Sequence, residues 1–179
     1  MITDPDAEFT QLVRRQARFV FRVAFAVLLN AHDAEDAVQE TFLKLFRNRG
    51  WQNVENERAF LARVAWRVSV DLRPRRTPDP SLPLEQELAE VWPSPLPTPE
   101  HALVSANEHA MIHSLVDALP EDLRVPLVLS TFDELSSREI GEILNLPDGT
   151  VRTRLQRARQ MLREKLTKRR ASTEEAHHA

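Results

Sequence analysis

The chain has 179 residues, 42% of them hydrophobic, with 24 basic and 27 acidic side chains and a formal charge of -3. That length allows one medium domain or two small ones with real cores. With three glycines and no cysteine, the composition leans away from turn-rich β folds and excludes disulfides and thiolate chemistry or metal binding.

The N-terminus, "MITDPDAEFTQ", is acidic and polar, unlike a signal peptide. A first helix is expected from about Glu8 to Leu29, apolar over its later turns and central to a core. Its apolar run, Phe19 to Leu29, contains Arg22 and is too short to span a bilayer. A soluble, cytoplasmic protein is expected.

"DAEDAVQETFLKLFRN" places Ala37, Val38, Thr41, Phe42 and Leu45 on one helical face, with Asp33 as the expected N-cap. The outer face of this helix carries Asp36, Gln39, Glu40 and Leu43. Such a face is either solvated or an acidic docking patch with Leu43 as its apolar anchor. The loop "NRGWQNVENE" then presents Trp51. "RAFLARVAWRVSVDLRP" predicts a helix over Arg58 to Arg73, with Phe60, Leu61, Val64, Val68 and Leu72 inward. Its outer stripe is Arg63, Trp66, Arg67 and Val70. Arginines beside exposed aromatics suit single-stranded DNA, where bases unstack onto rings. The competing reading makes Trp51 and Trp66 core residues with arginines snorkelling around them.

Eight of the twelve prolines lie between Pro74 and Pro99. That density excludes a long helix and reads as a flexible linker over 74–100, with room for one helical turn at Leu84 to Val91. It divides the chain into residues 1–73 and 101–170. The expected fold class is all-α, two small helical domains joined by a Pro-rich flexible linker. Residues 171–179, ending in "EEAHHA", are expected to be a disordered tail.

In the second half, Ser136 and Glu139 form a capping box, with Leu135 and Ile140 placed as a hydrophobic staple. A helix is expected from there to Leu144. Gly141 on its inner face would let a second helix cross closely. Asn145 suits a left-handed turn position, and Pro147 the first position of the next helix. That next helix is strongly basic. Thr150 to Arg170 carries nine Lys or Arg and one acid, Glu164. A short helix, a tight turn and an arginine-rich second helix predict a helix-turn-helix that reads duplex DNA in the major groove. Arginine suits guanine O6 and N7, and the remaining cations suit phosphates. A merely solvated helix would mix its signs more evenly. The six histidines show no metal-ligand spacing. His109 and His113 stand four apart, but two histidines alone do not make a site. No metal, cofactor or catalytic residue is expected.

Together these blocks resemble an extracytoplasmic-function (ECF) sigma factor of the sigma-70 family, the promoter-specificity subunit of bacterial RNA polymerase. "DAEDAVQETFLKLFR" is similar to the family's D-x-x-D-x-x-Q-[ED]-x-F helix. "LPEDLRVPLVLSTFDELSSREIGEILNLPDGTVRTRLQRARQML" is similar to its C-terminal domain almost end to end. With "RAFLARVAWRVSVDLRPRR" the resemblance covers roughly three quarters of the chain. It implies a region 2-like domain over 1–73 and a region 4-like domain over 101–170. Asp33, Asp36, Gln39, Glu40 and Leu43 would then dock on the clamp helices of the polymerase's largest subunit. Trp51, Arg63, Trp66 and Arg67 would open and recognise the −10 element. Thr150, Arg152, Thr153, Gln156, Arg157 and Arg159 would read the −35 element. Many relatives carry Asn where this chain has Arg67, which bears on the base captured there. The implied partners are core polymerase, through clamp helices and flap, promoter DNA, and an anti-sigma factor held between the domains. The alternative is a helix-turn-helix regulator that binds duplex DNA without joining polymerase. The acidic residues between 81 and 148 are expected to limit DNA binding by the free chain.

Overall fold

The computed structural model describes residues 5–52, 54–73, 110–133 and 135–177. The expected linker, including the turn at Leu84 to Val91, lies outside the described residues. Among those described there are seven helices. The first half contains α1 (Pro5–Leu28), α2 (Ala31–Asn48) and α3 (Glu57–Leu72). The second contains α4 (110–117), α5 (Glu121–Asp133), α6 (Ser137–Leu144) and α7 (Asp148–His177).

Helix α1 is the axis of the first half, packing on both α2 and α3. Its sequence explains why. Phe19, Val20, Phe21, Val23, Ala24, Phe25, Ala26 and Val27 are all buried, so its C-terminal turns are enclosed nearly all round. Near its middle, Gln16 donates to Glu57 Oε1 at 2.6 Å, and Arg15 pairs with both oxygens of Glu57 at 2.8 and 3.0 Å. The start of α3 is thereby fastened to α1. Helix α2 begins earlier than expected. Asn30, not Asp33, is the cap: its Oδ1 accepts from the Asp33 amide at 3.0 Å. Asn30 wins because the turn before it is already set, with Leu29 in the left-handed region at φ 51°. Helix α3 is capped likewise, by Asn56 accepting from the Ala59 amide. Its buried face is Leu61, Ala62, Ala65, Val68 and Ser69, rotated from the expected one. Leu72, expected in the core, is 42% exposed, because small residues let α3 approach α1 along a neighbouring stripe.

In the second half, Arg124 closes the α4–α5 turn. It is 5% exposed. Its Nη1 donates to the carbonyls of Leu119 and Asp117, at 2.6 and 3.1 Å. Its Nε donates across to Ala26 O in α1, at 2.8 Å. Burial pulls this guanidinium below its ordinary value, while Asp117 and Glu121 oppose the shift. Asp117 pays the converse penalty. Burial raises its carboxyl to about 6, against the pull of Arg124, and Oδ2 is sealed without a hydrogen-bond partner. A carboxyl raised on folding destabilises the native state above its folded value and ceases to do so as pH falls to the unfolded value. Asp117→Asn is therefore expected to stabilise the chain at pH 7 by about 1–3 kcal/mol. The advantage should fade between pH 6 and about 4 in urea titrations; equal stability at pH 7 would refute it.

The capping box forms as the sequence implies. Ser136 Oγ accepts from the Glu139 amide, and Glu139 Oε2 accepts from the Ser136 amide at 2.8 Å. Leu135 and Ile140 are both buried. Asn145 takes the left-handed conformation at φ 55°. Gly141 has a different reason from the one expected. A Cβ there would lie 2.6 Å from Leu146 O, so the glycine admits the turn's own backbone rather than a crossing helix. Pro147 sits one residue before α7, its carbonyl accepting from the amides of Thr150 and Val151. The expected tail is also corrected: α7 continues to His177, since nothing in "TKRRASTEEAH" stops a helix.

The two halves touch. Helix α1 packs on α5, and α3 packs on α6. One apolar cluster runs through Leu12, Val23 and Leu61 of the first half and Leu123, Leu127 and Ile140 of the second.

Candidate nucleic-acid and polymerase interfaces

The N-terminal turns of α7 divide cleanly. Val151, Leu155 and Ala158 are buried at 3- and 4-residue spacing and seat the helix on α5 and α6. Arg152, Thr153, Gln156, Arg157 and Arg159 are exposed on the opposite side, and Thr150 is half-buried at its edge. All six residues expected to contact duplex DNA thus share one accessible surface. Thr153 turns its hydroxyl back to Gly149 O at 2.9 Å. Arg152 is steered by Asp148, one turn earlier, at 2.7 Å. Asp148 Oδ1 is sealed and unpartnered. Sequence reasoning did not assign Asp148 to this surface; its i, i+4 spacing to Arg152 was the available signal.

The four residues expected at single-stranded DNA are less uniform. Arg67 is exposed. Trp51 is half-buried, its ring 5.5 Å from that of Phe9. Phe9 also meets Phe42 and Phe46, so Trp51 anchors its loop to an aromatic cluster. Trp66 is half-buried against the core. Arg63 lies 3.9 Å from Glu142 of α6, and its Nε is sealed without a hydrogen-bond partner. Along this stripe the tryptophans are packed and Arg67 is open.

On α2, Asp36, Gln39, Glu40 and Leu43 line one shallow groove of about 360 Å³. Asp33 lies outside it, its amide engaged by the Asn30 cap. The groove's other wall comes from Val68, Asp71 and Leu72 of α3, which sequence reasoning did not assign to this surface. Their i, i+3, i+4 spacing marks one helical face and could have suggested it. Leu43 is 46% and Leu72 42% exposed, so the floor is apolar. Asp36, Glu40 and Asp71 make the rim acidic, partly offset by Lys44, 3.6 Å from Glu40. An apolar floor with an acidic rim fits a partner helix that carries basic residues.

No helix among the described residues is long and apolar enough to cross a membrane. A family model described as Sigma-70 region 2 matches residues 12–77, and one described as Sigma-70, region 4 matches residues 109–162. The chain is 34% identical to the ECF RNA polymerase sigma factor SigW of Bacillus subtilis, over 91% of this chain and 90% of that protein. It is also 34% identical to the ECF RNA polymerase sigma factor SigE of Mycolicibacterium smegmatis, over 91% of this chain but 63% of that longer protein. Among solved structures, the sigma factor RpoE of Bartonella quintana, in complex with the anti-sigma factor NepR, shares the fold. Its TM-score is 0.63 at 20% identity, covering 89% of this chain and 97% of that one. Helix-turn-helix, second helical unit and relatives agree: the chain belongs to the ECF sigma factors of the sigma-70 family, non-enzymatic proteins that direct transcription initiation by RNA polymerase.

Proposed function

We propose that the two halves divide the work of initiation, the first docking on core polymerase and holding the −10 element, the second reading the −35 element. The observation that carries this reading is the coexistence of two unlike surfaces. One is the acid-rimmed groove of α2 and α3; the other is the arginine face of α7. The groove suits the clamp helices of the polymerase's largest subunit. The flap would meet the second half, and Arg67 would receive an unstacked base. An anti-sigma factor would bind between the halves; the RpoE structure holds such a partner. The chain acts in the cytoplasm, where its polymerase works.

The α7 assignment makes a specific prediction. Arg157→Ala should weaken binding to a −35 duplex by ~1–3 kcal/mol if the side chain reads a base. The loss should be larger on the preferred sequence than on a scrambled one. An equal, salt-dependent loss on both would make Arg157 a phosphate contact. Unchanged affinity on both would remove it from the interface.

A further inference from the structure

Helix α7 keeps its arginine surface beyond the residues assigned to the −35 element. Arg152 and Arg159 are seven residues apart, and Arg163 follows four later. At about 100° per residue, all three fall within about 40° of one another around the axis and form a single ridge. Arg163 is exposed, like the other two, and lies one residue past the segment matched to Sigma-70, region 4. The one acid between Thr150 and Arg170, Glu164, stands about 100° away round the helix and accepts from Gln160 Nε2 at 3.0 Å. From Arg152 onward the ridge itself carries no acid.

The turn that carries Arg163 is braced. Met161 and Leu162 are half-buried against the core, and Lys165 donates to Ala118 O at 3.2 Å, which fastens α7 to the chain just after α4. Residue 163 is thus held in line with the N-terminal turns of its own helix. Distance then decides what each side chain can touch. At 1.5 Å per residue, Gln156 lies about 6 Å along the axis from Arg152, and Arg163 about 16 Å. The major groove is about 12 Å wide. A helix whose first turns face base edges has therefore left the groove floor by Arg163 and reached the phosphate wall. The two ends of the ridge also differ in charge. Asp148 stands 2.7 Å from Arg152 and would repel a phosphate there.

We propose that Arg163 binds a backbone phosphate of duplex DNA, so that the promoter interface of α7 extends one turn beyond the base-reading residues. The inference rests on the sigma reading above and adds to it a contact that contributes affinity without sequence preference. The guanidinium fork matches two phosphate oxygens, and neutralising the phosphate releases a counterion.

The test uses holoenzyme assembled from the full chain and core polymerase, on a promoter duplex defined by mapped transcript starts. Affinity is measured across a salt series for the parent, Arg163→Gln and Arg163→Lys. One phosphate contact fewer should lower the slope of log affinity against log salt by about 0.9. The parent's advantage over Arg163→Gln should therefore shrink about 3.5-fold between roughly 50 and 200 mM salt. Arg163→Lys should keep the parental slope, since a point charge suffices for a phosphate. The loss should be equal on a duplex with a changed −35 sequence. A methylphosphonate moved along the backbone beside the element should abolish the difference between parent and Arg163→Gln at one position. Equal slopes for those two proteins would overturn the proposal and leave a solvated arginine. A loss confined to one −35 sequence and not restored by lysine would overturn it in favour of a base reader. Weaker assembly of Arg163→Gln with core polymerase in the absence of DNA would overturn it in favour of an acidic protein surface. A parent that forms no holoenzyme counts against the sigma reading instead, and the same salt series with the free chain on duplex then decides Arg163.

Discussion

Arg124→Ala is expected to destabilise the chain by about 3–5 kcal/mol, the largest effect of any single substitution considered. The guanidinium is 5% exposed and donates to the carbonyls of Ala26, Asp117 and Leu119. Alanine would leave those acceptors without their donors and vacate the enclosed space the side chain fills. The partly charged Asp117 would lose its nearest favourable charge and rise further. Arg124→Lys keeps the charge but cannot fork to three carbonyls, so it should recover only part of the loss. Urea denaturation checks this. A change below about 1 kcal/mol for the alanine variant would show that water replaces the guanidinium without penalty.

Leu43→Asp should reduce affinity for core polymerase at least about 100-fold, near 3 kcal/mol, while leaving the fold intact. Leu43 is 46% exposed and forms the groove floor with Leu72. Its substitution removes little from the chain's own core. In the docked state the same position would place a carboxylate against a desolvated apolar surface. Fluorescence anisotropy of the labelled chain against core polymerase measures the affinity, with circular dichroism as the folding control. Wild-type affinity for Leu43→Asp would place the docking surface elsewhere.

How legible this was in the sequence depended on how local the cause was. The capping box at Ser136 and the left-handed Asn145 involve neighbours within a few residues, so their pattern is explicit. The face of α7 was equally plain, because Val151, Leu155 and Ala158 repeat at helical spacing among arginines. Helix α5 was not separately delineated. Pro126 lies inside it, and Val125, Leu127, Val128 and Leu129 are all buried, so it shows no amphipathic period. The buried face of α3 was misjudged at Leu72, because Ala62, Ala65 and Ser69 carry the close approach to α1 and small residues give a weak apolar signal. The second wall of the groove needed α2 and α3 side by side. The contact between Arg63 of α3 and Glu142 of α6 could not be read at all: they are 79 residues apart in the chain, and only the fold brings them together.

The assignment as a whole is tested most directly by reconstituted transcription. Purified bacterial core polymerase and this chain would be supplied with fragments of the genome that encodes it, and the transcript starts mapped. The account predicts discrete starts that share two upstream elements and disappear with Leu43→Asp. Duplex binding without core binding, and no starts, would contradict it and leave a helix-turn-helix regulator that works apart from polymerase.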